Sequence, residues 1–174
     1  MSFTAGDITS AAVSHVDETA YGAVGSVTKC NLYVQDVIEA ISQQSRPEFH
    51  ALANDQFDNL TSSPDWDSKG FSAAPQAVLD NAFSDSNSGK LIVVAWKNSG
   101  GSGHIAIIVP AAAKEASTAW GFDIPFIAQA GKMNPRNQPA GTPEASQSVF
   151  ASLKLSWGFK VSAIPQMEVF YYNK

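Results

Sequence analysis

The period of apolar positions changes partway along the chain. In the first half it is helical: Val34, Val37, Ile38 and Ile41 fall at i, i+3, i+4 and i+7, which predicts an amphipathic helix. Thr28 is its expected N-cap, so Cys30 lies in the first turn, and Ser42 to Ser45 followed by Pro47 end it. A shorter helix is predicted over residues 7 to 18, with Asp7 as N-cap and Ala12, Val13 and Val16 at helical spacing. "AYGAVGSVT" between them reads as a glycine-punctuated loop. Residues 54 to 72 read as a polar loop with aromatic residues set into it. "PQAVLDNAF", 75 to 83, is a further short helix opening on Pro75, and "SDSNSG" after it is a turn.

Beyond that point the runs become short, apolar and rich in β-branched residues. "KLIVVAW" (90 to 96) and "HIAIIVP" (104 to 110) predict strands on either side of the loop "NSGGSG". "IPFIAQAG" (124 to 131) and "VSAIPQMEVFYYN" (161 to 173) continue the series, while Pro135, Pro139 and Pro143 mark a loop between those two. Helices first and adjacent strands afterwards predict an α+β fold, N-terminal helices packed on a largely antiparallel sheet. Its 174 residues suit a single domain, 1 to 174, with a substantial core.

Composition removes several function classes. Charged residues make up 16% of the chain, the net charge is −5, and Lys and Arg form no cluster. No nucleic acid or anionic membrane is therefore expected as a partner. No run approaches the roughly 20 apolar residues of a membrane span. The N-terminus "MSFTAGDITSAAVSHVDETA" lacks the basic start and apolar stretch of a secretory signal. A single cysteine cannot close an intrachain disulfide.

That cysteine is the leading candidate for chemistry. Free cysteines are usually buried and inert. A thiol in the first turn of a helix, however, feels the positive end of the helix dipole, which favours the thiolate. A nucleophilic thiol needs a base, and three histidines are available. His15 lies within the first helix and His50 follows a helix terminator with no partner pattern around it. His104 opens a clean strand after Gly103, with glycines that leave room for a substrate backbone. Ala106 and Ile108 share its face, and Ile105, Ile107 and Val109 take the other. The imidazole needs an orienting acceptor. Gln129, a lone amide in an apolar strand, fits that role, since burying it unpaired would cost about 1–3 kcal/mol. Asn134 is the reserve, and an edge-strand Gln129 facing water is the bland alternative. Trp66, Phe71 and Trp120 read equally as groove walls and as core. One cysteine with three scattered histidines makes a weak zinc case, and no metal or organic cofactor is expected.

The order of helix-borne Cys30, strand-opening His104 and a polar residue on the next strand resembles the NlpC and CHAP branch of papain-like cysteine amidases. "KCNLYVQDVIEA" is similar to that group's Cys-x-x-aromatic-Val helix start, and "SGHIAIIVP" to its Gly-His strand. "AQAGKMN" is similar to the strand that carries the third residue. The likeness spans about residues 20 to 44 and 90 to 134. It implies a papain-like core and amide-bond hydrolysis in the peptide stems of peptidoglycan. The oxyanion would be held by backbone N–H groups at the helix start, with Tyr21 assisting and with Asn31 and Gly103 at the substrate. Short members without a signal peptide resemble antibacterial effectors of bacterial type VI secretion. That implies action as a monomer in the periplasm of a target cell, with an immunity protein in the producer; without export the location is cytoplasmic. Two other readings stay open: transamidation, deamidation or acyl transfer on another substrate, and a non-catalytic module that binds wall peptides or a protein.

Overall fold

The computed structural model describes residues 3–15, 21, 29–72, 74–130 and 153–174. Helices α1 (Ala5–Ser14), α2 (Cys30–Ser42) and α3 (Ala53–Ser62) precede strand β1 (Trp66–Gly70) and helix α4 (Pro75–Asn87). Strands β2 (Ile92–Trp96), β3 (His104–Val109), β4 (Glu115–Ser117), β5 (Phe122–Ile124), β6 (Phe126–Ala128) and β7 (Leu153–Lys154) follow. A helical turn, Leu155–Gly158, and a 3₁₀ segment, Val161–Gln166, lead into β8 (Met167–Tyr172). The main sheet has the order β1-β8-β2-β3-β6-β7, and every described pairing is antiparallel. The α+β class with helices against a mostly antiparallel sheet is therefore what the chain forms. Among the described residues no helix is long and apolar enough to cross a membrane.

Both faces of the sheet are covered, which explains why its central strands are apolar without interruption. Val93, Ala95, Ile105, Ile107, Val109 and Phe170 pack with α1, α2 and α3 through Ile8, Tyr33, Val34, Ile38 and Leu60. Ile92, Val94, Ala106, Ile108 and Val169 face the opposite way, against Leu79 and Ala82 of α4 and against Trp120 and Phe159. The alternation expected along the His104 strand is the one seen.

Helix boundaries differ from the sequence-based expectation for local reasons. The cap of α1 is Thr4, whose Oγ1 accepts from the Asp7 N–H while Asp7 accepts from the Thr4 N–H. Asp7 is thus the third helical residue of a capping box, and the Thr4 N–H and hydroxyl, both donating to its carboxylate, hold its carboxyl below the usual range. Lys29 stands at the N-cap of α2 without a side-chain cap bond, and Thr28 lies outside the described residues. Gln43 closes α2 in the left-handed conformation, φ 53°. The Tyr33 hydroxyl donates to the Ala12 carbonyl at 2.7 Å and ties α2 to α1; burial, followed by nearby Tyr21, pushes that hydroxyl's pKa up.

Residues 54 to 72 are the main correction. They form most of α3 and all of β1, not a loop. The α3 segment holds two large apolar residues, Phe57 and Leu60, and both are buried. Besides the small Ala53, Gln56 is buried and Asn54 and Asn59 are half-buried, and all three amides bond to neighbouring backbone, a source of order that no periodicity of apolar residues records. Helix α4 also runs through "SDSN" to Asn87, because Ser86 is buried with its hydroxyl bonded back to the Phe83 carbonyl. The chain turns at Gly89, at φ +89°, where an added Cβ would collide with the Phe3 backbone.

Candidate active site

Helix α2 begins at Cys30, so the thiol sits at the first helical position. The first backbone N–H groups of a helix lack intrahelical acceptors, and their partial positive charge is concentrated there. Packing of α2 on β3 brings this end of the helix to the first residue of the strand, His104. The Cys30 side chain is hydrogen-bonded to the imidazole. On the far side of the ring, Nε2 donates to the Gln129 Oε1. That bond commits Nε2 as the N–H and leaves Nδ1 as the nitrogen that faces the thiol.

The electrostatics of His104 follow from four influences. Burial is the largest and pulls its pKa down, since charging a desolvated ring is unfavourable. The charge of Cys30, its hydrogen bond and that of Gln129 all favour the imidazolium, and together they outweigh burial. The net shift is upward from 6.5. Contact with Cys30 and Gln129 thus favours the charged form of the ring beside the sulfur.

Gln129 is 3% exposed, so the water-facing alternative does not hold. Its carbonyl is positioned from behind by the turn that ends at Gly158. A Cβ on Gly158 would overlap Gln129 Oε1 and lie 2.8 Å from Ile127 Cδ1. The next residue, Phe159, packs its ring on the imidazole with centroids 4.9 Å apart. Nothing in "LSWGF" marked it as part of a site, because its role depends on a contact made only after folding.

Asn54 is a second residue that the sequence pattern did not flag. Its Nδ2 donates to the carbonyls of Asn98 (3.0 Å) and Gly101 (2.9 Å), and its Oδ1 accepts from the Asn98 N–H at 3.0 Å. Asn98 in turn accepts from the Gly100 N–H at 3.1 Å and donates to the Ser102 carbonyl at 3.2 Å. The glycine-rich approach to His104 is therefore a hydrogen-bonded clamp.

The remaining sequence candidates take other places. Gly103 fits because it is small: a Cβ there would overlap the Asn54 amide and stand 2.5 Å from the Trp96 carbonyl oxygen. Its role is close packing. Asn31 donates from Nδ2 to the Ala51 carbonyl at 2.8 Å, which ties the start of α2 to the loop before α3. The Tyr21 hydroxyl donates to Asp36 at 2.5 Å, about 9 Å along the helix axis from Cys30. Its proton is thus committed to Asp36, away from the oxyanion position expected for it. Asn134 lies outside the described residues. Trp66, Phe71 and Trp120 are buried in the two cores. His15 sits at the end of α1, bonded to the Ala11 carbonyl, and His50 pairs with Glu39 at 2.6 Å.

The arrangement brings together a thiol, an imidazole, an acceptor for the far ring nitrogen and the positive end of a helix. Such a set can form a covalent acyl intermediate and release it. No protein-family model matches the sequence, and no curated protein matches it.

Proposed function

We propose that the chain is a cysteine-dependent amidase with a papain-like, NlpC/CHAP-type core, acting on amide bonds in the peptide stems of peptidoglycan. The alignment of Cys30, His104 and Gln129, drawn from a helix start and two neighbouring strands, carries this reading. In the reaction the Cys30 thiolate attacks the carbonyl carbon and the carbonyl oxygen takes up the negative charge. N–H groups at the start of α2 receive that oxyanion. His104 passes its proton to the leaving amine as the C–N bond breaks. It then takes a proton from water as the hydroxide adds to the thioester, which frees the acid and the thiol. Gln129 acts on the ring alone and keeps Nδ1 turned to the sulfur. Delivery by type VI secretion to the periplasm, action as a monomer and an immunity protein in the producing cell belong to the same proposal.

Digestion of purified peptidoglycan followed by mass spectrometry tests it. Wild type is expected to create new peptide termini that Cys30→Ala does not. Identical product profiles would overturn the reading.

One observation favours a second reading, a non-catalytic binding module: Cys30 is only 3% exposed. An inert core thiol, however, does not require an imidazole with an oriented acceptor behind it. Iodoacetamide labelling at mildly acidic pH separates the two. Labelling faster than a free thiol, and lost in His104→Ala, supports the amidase; labelling no faster than a free thiol supports the module.

A further inference from the structure

The first turns of α3 bond in two directions. Asn54 and Gln56 stand two positions apart on the helix, so their side chains leave it roughly 200° apart. Asn54 turns to the loop before β3. It holds the Asn98 and Gly101 backbone and lies against Gly103, the residue before His104. Gln56 is fully buried and turns to the start of α2. Its Nε2 donates there to the carbonyl of Asn31, the residue after Cys30, at 3.2 Å. The same Nε2 donates to the Phe49 carbonyl at 2.5 Å, in the segment before α3. Asn31 answers with its own Nδ2, on the Ala51 carbonyl at 2.8 Å. One short helix thus grips the backbone beside both the thiol and the imidazole.

Two features give these bonds a task that packing does not perform. The α2 N-cap, Lys29, makes no side-chain cap bond, so the helix end that carries Cys30 lacks the usual local anchor. Apolar contact between α2 and β3 is non-directional: it fixes the layer, not the position of the helix along or about its own axis. Directed bonds at the helix end remove that freedom. Helix α3 is itself a firm reference, because Phe57 and Leu60 seat it in the core and Phe57 meets Phe170 edge-on, centroids 5.4 Å apart. We propose that α3 is a bracket that sets the distance between Cys30 and His104, with Gln56 the positioning residue on the cysteine side and Asn54 its counterpart on the histidine side. The proposal rests on the reading of Cys30 and His104 as a working pair.

The test uses the full chain and two readouts of that pair: the rate of Cys30 alkylation by iodoacetamide over a pH series, and the His104 midpoint by imidazole NMR. Gln56→Met keeps the shape of the side chain and removes its donor. It is expected to slow alkylation at mildly acidic pH by about tenfold, the equivalent of one buried hydrogen bond. The His104 midpoint should move toward that of Cys30→Ala, while urea unfolding shows a folded chain. Asn54→Ala should act in the same direction. Opening either arm frees the same distance, so the double variant should lose little more than the worse of the two single ones. An unchanged alkylation rate or midpoint in Gln56→Met, or losses that simply multiply in the double variant, would overturn the bracket. Should Gln56→Met fail to fold, Asn31→Ala, which opens the other bond on the cysteine side, stands in for it with the same expectations. Neither readout involves hydrolysis, so the bracket and the amidase reading fail separately.

Discussion

Gln129 reaches His104 diagonally across two antiparallel strands. Ile107 pairs with Ala128, and the register continued by one residue sets Gln129 opposite Ala106. Ala106 is small enough to leave the carboxamide room to pass to the imidazole two residues away on the same face. A larger side chain at 106 would fill that path.

Removing this acceptor leaves Nε2–H buried without a partner and frees the ring to turn. Gln129→Leu is expected to lower hydrolysis by roughly 10–100-fold, taking the scale of losing the outer partner of a metal-binding histidine as a guide. Gln129→Asn, with a shorter reach, should fall between. Initial rates of stem-peptide release at fixed pH check the order; a Gln129→Leu enzyme as active as wild type would contradict the role.

The protonation of His104 gives a prediction with a defined sign. Its pKa lies above the ordinary 6.5 because Cys30 and Gln129 outweigh the opposing effect of burial. In Cys30→Ala the Cys30 contributions vanish while burial and Gln129 remain, so the midpoint must fall relative to wild type. A raised native pKa also means that protonation stabilises the fold. That contribution is complete below the unfolded-state value, about 6.5, and disappears as pH rises through the higher native one. Imidazole NMR titrations of both proteins measure the midpoints directly. A midpoint unchanged by Cys30→Ala would show that sulfur and ring are not coupled.

Asn54 holds the approach to His104 without belonging to the reacting groups. Asn54→Ala removes three hydrogen bonds from the clamp and should destabilise the chain by about 1–2 kcal/mol, read from urea unfolding. Asn54→Asp keeps the acceptor for the Asn98 N–H and loses both donors, so it should recover only part of the loss. Because a positioning role also changes the pH profile of Cys30 alkylation, that profile should shift in both variants. A shift in stability alone would make Asn54 purely structural.

Gly103→Ala should be poorly tolerated for steric reasons. The new methyl would press on the Trp96 carbonyl oxygen and on the Asn54 amide, the latter held in place by its own hydrogen bonds. A loss of about 1–3 kcal/mol is expected, the usual scale for overpacking. Thermal unfolding measures it, and an unperturbed Gly103→Ala protein would show that the loop relaxes freely. Gly100→Ala is the control, since a Cβ there meets only Asn98 Oδ1 at 3.7 Å.

Local pattern determined a good deal. The helix that carries Cys30, the strands that begin at Ile92 and His104, the split of the β3 side chains between two faces, and the α+β class all follow from apolar spacing and β-branched runs. They follow because burial of a stripe or a face is imposed residue by residue along one segment. What tertiary structure alone decided involves polar groups satisfied at a distance. Helix α3 exists because Asn54, Gln56 and Asn59 bond to loops around residues 98, 49 and 48, and β1 because β8 supplies its ladder. The Tyr21 proton goes to Asp36, and the Gly158–Phe159 turn backs Gln129 and His104, for the same reason. A hydrogen-bond donor or a close-packed glycine acquires its role from whichever partner folding brings to it, and that partner leaves no periodic trace in the chain.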